Sequence, residues 1–351
     1  MNGVLLVQLG TPDSPSTGDV RRYLAEFLSD PRVLDMHPVG RWLLLHGVIL
    51  RTRPGKSAAA YRKIWTNRGS PLLLHSQDLA VGLQAELGQG FKVALGMRYG
   101  RPPLAEALRE LQNAGCDEIL VLPLYPQYSL AATASATDAV FAAASALPAV
   151  PSLSVVSDVH AHPAFIEAVA VVAEEELQTF RPDHHLFSFH GVPEHQVRAT
   201  EIPGPDGKVA GHCLGAATCC DALTAANRQC YRAQCFATAR ALAARLELSP
   251  DAWSVSFQSR LGRTPWIRPY TDELLPLLVQ RGVRRLAVLT PAFTADCLET
   301  LEEIGIRERA SFLAAGGEEL RLVPCVNAHP SWVAGLAELV RGRAGGALPG
   351  A

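Results

Sequence analysis

The chain has 351 residues, 48% of them apolar, and a formal net charge of −2. That length allows two domains, or one large α/β domain, with enough apolar material for sizeable cores. The near-neutral balance supplies no global positive field for nucleic acid, and the absence of any run of about 18 uncharged apolar residues argues against a spanning helix. The opening MNGVLLVQLGTPD carries no charged leader and reads as a buried strand entering a Gly-Thr-Pro turn, so a cytoplasmic location is expected.

Short apolar runs mark eight buried strands. In the first half they are Val4 to Leu9, Lys92 to Gly96, Glu118 to Leu124 and Ser152 to Val156. The second half offers His185 to Phe189, Trp253 to Phe257, Leu286 to Leu289 and Leu320 to Val323. Helical stretches lie between them, including Pro103 to Ala114, Pro163 to Phe180, Ala233 to Leu246 and Thr271 to Gln280. Strands alternating with helices predict an α/β fold with parallel sheets covered on both faces. A division near residues 157–165 gives lobes 1–160 and 161–351. The segments 116–133 and 283–300 share a strand, a Pro-containing turn with an aromatic and a small-residue helix start, which suggests two similar lobes. In open α/β sheets ligands bind beyond the carboxyl ends of the strands, so a cleft between the lobes is the expected site.

Several segments bring chemistry to those strand ends. The first-lobe loops are Gly10-Thr11-Pro12, Gly69-Ser70-Pro71, Met97-Arg98-Tyr99-Gly100 and Tyr125-Pro126-Gln127-Tyr128-Ser129. None resembles a phosphate-binding glycine loop, which leaves a nucleotide enzyme poorly supported. The stretch HPVGRWLLLHGVILRTR (37–53) is apolar and ends in Arg51 and Arg53. It suits a core helix, or an exposed lip for a flat apolar ligand or a membrane surface.

Next, FSFHGVP ends a strand at His190 and turns the chain away, which points an imidazole beyond the sheet. Imidazole suits proton transfer and metal ligation near neutral pH. In FQSRLGRTPW a strand runs into a basic loop where Arg260 and Arg263 suit substrate carboxylates, and Thr271 reads as the N-cap of the following helix. Finally, Asp296, Glu299 and Glu303 recur at spacings of three and four, which places them on one helix face. Such a stripe either complements the helix dipole or offers an acidic path for a divalent cation or for protons.

Taken in order, VLLVQLGTPDSP, LPLYPQYS, FSFHGVP, FQSRLGRTPW and PAFTADCLETLEEI resemble the ferrochelatase family over nearly the whole chain. The resemblance implies two Rossmann-like, chelatase-type lobes, each a parallel four-stranded sheet flanked by helices, with the active-site cleft between them. It implies a lyase of haem and porphyrin biosynthesis that inserts Fe²⁺ into protoporphyrin IX and releases two protons. The catalytic set falls on His190, Glu299 and Asp296, with His190 and Glu299 as ligands of the incoming Fe²⁺. Porphyrin contacts fall on Leu9, Arg51, Arg53, Arg98, Tyr99, Tyr128, Ser129 and Trp266. Cys297 stands where many relatives carry His. Insertion of iron into coproporphyrin III, and a non-catalytic haem- or Fe–S-binding regulator, are the alternative functions. Expected partners are the porphyrin and Fe²⁺, with a peripheral membrane contact at the lip and no nucleic acid.

Cysteines supply a separate signal. Of eight, Cys213, Cys219, Cys220, Cys230 and Cys235 crowd into one insertion. Without an export signal, such crowding suggests metal or cluster ligation rather than disulfides. A four-Cys zinc site and a plain surface loop are the alternatives to a [2Fe–2S] cluster. The cluster is the reading that the resemblance favours, because several ferrochelatase subgroups carry one. Adjacent cysteines rarely serve one site, which selects Cys213, Cys220, Cys230 and Cys235.

Overall fold

In the computed structural model of the protein, residues 1–204, 206–260, 262 and 264–344 are described. The first half runs β1 (Asn2–Thr11), α1 (Thr17–Ser29), α2 (Pro38–Leu44), α3 (Leu50–Ile64), α4 (Pro71–Leu87), β2 (Phe91–Gly100), α5 (Leu104–Asn113), β3 (Glu118–Pro123), α6 (Ser135–Ser145) and β4 (Ser152–Val155). The second half runs α7 (Pro163–Leu177), β5 (His184–His190), α8 (Glu194–Arg198), α9 (Tyr231–Arg245), β6 (Trp253–Gln258), α10 (Thr271–Gln280), β7 (Arg285–Leu289), α11 (Arg309–Ala314), β8 (Glu319–Leu322) and α12 (Pro330–Ala344). Three π-helical segments, Leu45–Ile49, Leu130–Ala134 and Leu298–Glu308, join these elements.

The strands form two four-stranded sheets, ordered β2-β1-β3-β4 and β6-β5-β7-β8, with every pairing parallel. The two orders are the same permutation, so the repeated design at 116–133 and 283–300 corresponds to β3 and β7. Each of these strands leads to a π-helix, Leu130–Ala134 after β3 and Leu298–Glu308 after β7. Parallel strands need crossovers, and these helices bury both sheet faces. The centre of β1 shows the consequence: Val4, Leu5, Leu6 and Val7 are all fully buried. In the second sheet Leu186, Leu286 and Val288 pack with Leu275, Leu278, Ile304 and Phe312.

The chain divides into two compact units, residues 1–125, 130–158 and 327–344 in one, 126–129 and 159–326 in the other. The sequence assigns everything after residue 160 to the second lobe, whereas α12 belongs to the first unit. The reason is its apolar face: Trp332 is buried, and Val333 lies over Gly82 of α4. The short segment 126–129 belongs to the second unit because α9 holds it. Gln234 Oε1 accepts the Tyr128 N–H at 2.7 Å, and Gln127 Nε2 donates to Thr238 and to the Pro291 carbonyl, both at 3.0 Å.

Candidate functional site

In the second unit three neighbouring strands deliver the chemistry at their carboxyl ends. His190 is the last residue of β5, the loop after β6 carries Trp266, and the loop after β7 leads to Asp296 and Glu299. His190 pairs with Gln258 in the β5–β6 register. Gln258 then acts as a hub. Its carbonyl accepts the Gly191 N–H at 2.7 Å, its Oε1 accepts the Ser188 hydroxyl at 2.8 Å, and its Nε2 donates to the Glu299 carbonyl at 2.8 Å. One buried amide thus fixes the spacing between the imidazole strand and the carboxylate helix. Although the motif FQSRLG contains Gln258, only the three-dimensional bonding marks it out.

The tautomer of His190 follows from its partner. Nδ1 lies 2.6 Å from the Gly191 carbonyl. A carbonyl only accepts, so Nδ1 carries the hydrogen and Nε2 keeps its lone pair. The ring is half-buried and meets Phe293 edge to face, with centroids 6.3 Å apart. Gly191 is required here by crowding. A Cβ on it would sit 2.9 Å from the Gln258 carbonyl and 3.2 Å from the Trp266 indole. Trp266 therefore rests directly beside the His190 turn. Bonds from Ile267 N to the Val192 carbonyl and from Glu194 N to the Pro265 carbonyl pin the two loops together.

The acidic stretch differs from expectation. Its helix starts at Leu298 and is of the π type, and Asp296 lies ahead of the Cys297 N-cap. Asp296 therefore shares no helix face with Glu299 and Glu303. Instead its Oδ1 accepts the Thr300 hydroxyl at 3.0 Å and the Cys325 N–H at 3.3 Å, in a buried setting. The wide turn of a helix with i→i+5 bonds brings residues four, five and nine apart to one side. Glu299, Glu303 and Glu308 line that side. Glu299 is half-buried, whereas Glu303 and Glu308 are buried. Ser259 adopts a left-handed conformation at φ 64° and its hydroxyl bonds Glu303. Arg307, more exposed, reaches Glu303 at 3.5 Å and Glu302 at 3.7 Å. Burial raises the Glu308 carboxyl above its ordinary range, Arg307 opposes this, and Glu303 reinforces it. One Glu308 oxygen, Oε2, has no hydrogen-bond partner.

Two basic-loop expectations change. The Arg260 guanidinium pairs with Asp272 at 2.6 Å and Glu273 at 2.9 Å and stacks on Tyr270, so the first turn of α10 already engages its charge. Arg263 lies outside the described residues. Thr271 does not cap α10, because it is the first helical residue; its hydroxyl instead bonds those of Ser188 and Ser256, at 3.0 and 2.8 Å.

The remaining sequence candidates separate by unit. Tyr128 and Ser129 lie in the second unit, half-buried and buried respectively. Leu9, Arg51, Arg53, Arg98 and Tyr99 lie in the first. There Leu9 is half-buried at the end of β1, and Arg51 and Arg53 are exposed on α3. Tyr99 is 1% exposed and donates its hydroxyl to Asp30 at 2.7 Å, while Arg98 pairs with the same carboxylate and bonds Ser135. The Tyr99 phenol is thus engaged inside the unit. In this stretch α2 has no buried residue, and Trp42, Leu43 and Val48 are exposed.

In the insertion all five cysteines are buried. Cys213 and Cys220 both lie near the Cys230 thiol, and Cys219 Sγ lies 3.6 Å from Cys220 Sγ. Arg232 Nη1 donates to Cys220 Sγ at 3.1 Å. Cys235 lies on α9 against Tyr231 and close enough to Cys220 to feel its charge. The loop is held by polar groups: the Glu201 carboxylate accepts N–H bonds from His212 and Cys213, and buried Asn227 bonds the Cys219 and Ala222 carbonyls. Thiols in mutual contact are suitable soft donors, but among the described residues no three His, Cys, Asp or Glu side chains are poised around one metal ion. Among the described residues no helix is long and apolar enough to cross a membrane.

Comparison with known proteins adds the following. Residues 1–344 match the family model described as Ferrochelatase. A ferrochelatase of Coxiella burnetii is 46% identical over 340 residues, covering 97% of this chain and 93% of the relative. One of Legionella pneumophila is 42% identical over 342 residues, covering 96% and 98%. Among solved structures, a multi-domain Deinococcus radiodurans protein described as similar to chelatases aligns with a TM-score of 0.51 at 13% identity, over 97% of this chain and 54% of that one. That likeness concerns the fold alone.

Proposed function

The chain belongs to the ferrochelatase family, and we propose that it inserts Fe²⁺ into protoporphyrin IX to give protohaem, the last step of haem biosynthesis. It is an enzyme, a metal chelatase, with a porphyrin and Fe²⁺ as its substrates. The reading rests on one observation: Gln258 ties the His190 turn to Glu299, beside the Trp266 indole.

The chemistry follows from that arrangement. A free-base porphyrin must lose two inner N–H protons as the metal enters. Nε2 of His190 takes one, because its lone pair faces outward while Nδ1 is held by Gly191. The Glu299 carboxylate takes the other, or guides the cation, and the buried carboxylates Glu303 and Glu308 continue the acidic side of the helix. Asp296 orients the helix start through Thr300. On the second unit Trp266 faces the ring, and Tyr128 and Ser129 border it. The test is anaerobic incubation of purified protein with Fe²⁺ and either protoporphyrin IX or coproporphyrin III. Metallation of protoporphyrin IX with two protons released per ring is expected. Turnover of coproporphyrin III alone would replace the substrate, and no turnover of either would overturn the catalytic reading.

We also propose that the thiol group around Cys230 holds a [2Fe–2S] cluster. Contiguous soft donors and the Arg232 guanidinium suit thiolate ligation. Cys213, Cys220, Cys230 and Cys235 are the proposed ligands, with Cys219 the spare thiol. Iron and acid-labile sulfide in equal amounts are expected after anaerobic purification, whereas stoichiometric zinc in a colourless protein would contradict it. We place the protein in the cytoplasm with the exposed apolar lip of α2 against a membrane surface. Flotation with anionic vesicles should weaken in Trp42→Ser.

A further inference from the structure

The thiol-rich insertion and the proposed base meet at the first turn of α9. Cys230 is the N-cap of this helix, its Sγ accepting the Ala233 N–H at 3.5 Å. The next residue, Tyr231, is buried and donates its hydroxyl to the His190 carbonyl at 2.8 Å. The residue after that, Arg232, joins Cys220 Sγ at 3.1 Å to the Arg268 carbonyl at 3.3 Å, two residues beyond Trp266. Consecutive residues therefore connect the thiol group to both sides of the His190 site. The Tyr231 hydroxyl takes hold of His190 on its main chain, where the β5 ladder ends. A shift of the helix N-terminus would move that carbonyl, and with it the imidazole set by the Gly191 contact.

We propose that Tyr231 is a positioning residue for His190, and that through it the state of the Cys213–Cys220–Cys230 thiol group adjusts the rate of proton removal. This rests on the chelatase reading of the site. The bond is local and buried, so its loss displaces a reacting group without emptying the binding surface. Misplacement of about 1 Å lowers rate far more than affinity.

Tyr231→Phe keeps the ring and removes only the hydroxyl. The expected result is about a 10-fold to 100-fold fall in kcat with KM for porphyrin and Fe²⁺ unchanged. An equal loss through KM would overturn it. The coupling is tested in substrate-free protein by NMR of the His190 ring, assigned through His190→Ala. Cys220→Ser should shift that resonance in the wild-type background and leave it unmoved in Tyr231→Phe. Equal shifts in both backgrounds, or none in either, would overturn the coupling. Cys220→Ala provides a second entry should Cys220→Ser fail to fold, and it should act on the same resonance in the same Tyr231-dependent way. Because this readout needs no turnover, wild type that metallates nothing would refute the chelatase reading while the NMR result still decides the link.

Discussion

At the scale of single residues, the site depends on hydrogen bonds that no spacing rule predicts. His190 could be found from its strand-end motif, but its working tautomer comes from a 2.6 Å contact with the neighbouring carbonyl. Gln258 is less visible still, because a buried glutamine in a strand reads as an anomaly until its three partners are known. Substituting Gln258→Leu preserves bulk but leaves the Ser188 hydroxyl and the Glu299 carbonyl without that partner. The expected cost is about 1–3 kcal/mol of stability, and porphyrin metallation should slow by about 10-fold or more. Chemical denaturation and steady-state rates measure the two effects. Unchanged turnover in a folded variant would show that the hub does not set the spacing that matters.

At the scale of elements, the strands were legible because parallel sheets buried on both faces demand continuous apolar runs. All eight expected runs fall within the observed strands or overrun them by one residue. The acidic helix was legible in composition but not in geometry. Neither its π character nor its start at Leu298 has a signature in a spacing of three and four, which puts Asp296 on a face it does not share. That helix also carries a titratable test. Burial holds the Glu308 carboxyl above its ordinary value. A raised folded pKa gives stability that is fully present below the unfolded pKa and lost as pH rises through the folded value. Glu308→Gln should therefore raise the melting temperature relative to wild type at about pH 8 and leave it unchanged at about pH 4. Thermal scans at both values check this, and an unchanged gap between the two would contradict it.

At the scale of the whole molecule, two sheets of the same strand order divide the work. The second unit supplies the His190 turn, the acidic helix and the thiol group. In the first, Asp30 gathers Arg98, Tyr99 and Ser135 into a buried network, across sequence separations of 68, 69 and 105 residues. Partners so distant leave no local pattern, which is why this network was not legible in the sequence. Burial alone would raise the Asp30 carboxyl; bonds from Ser135 and Tyr99, the Arg32 N–H and the Arg98 charge outweigh it and hold it below the ordinary range. Its stabilisation is thus present above the unfolded pKa and lost as pH falls through the folded one. Asp30→Asn leaves Arg98 without its counter-charge and should cost about 3 kcal/mol near neutral pH. Denaturant titrations should show the gap to wild type narrowing below about pH 4.

Removal of a pyrrole proton by His190 is best tested by single-turnover metallation of bound porphyrin by His190→Ala, followed beside porphyrin affinity and the melting curve. A folded variant that binds the ring as tightly as wild type yet fails to metallate it is the predicted result. Metallation at the wild-type rate would contradict it.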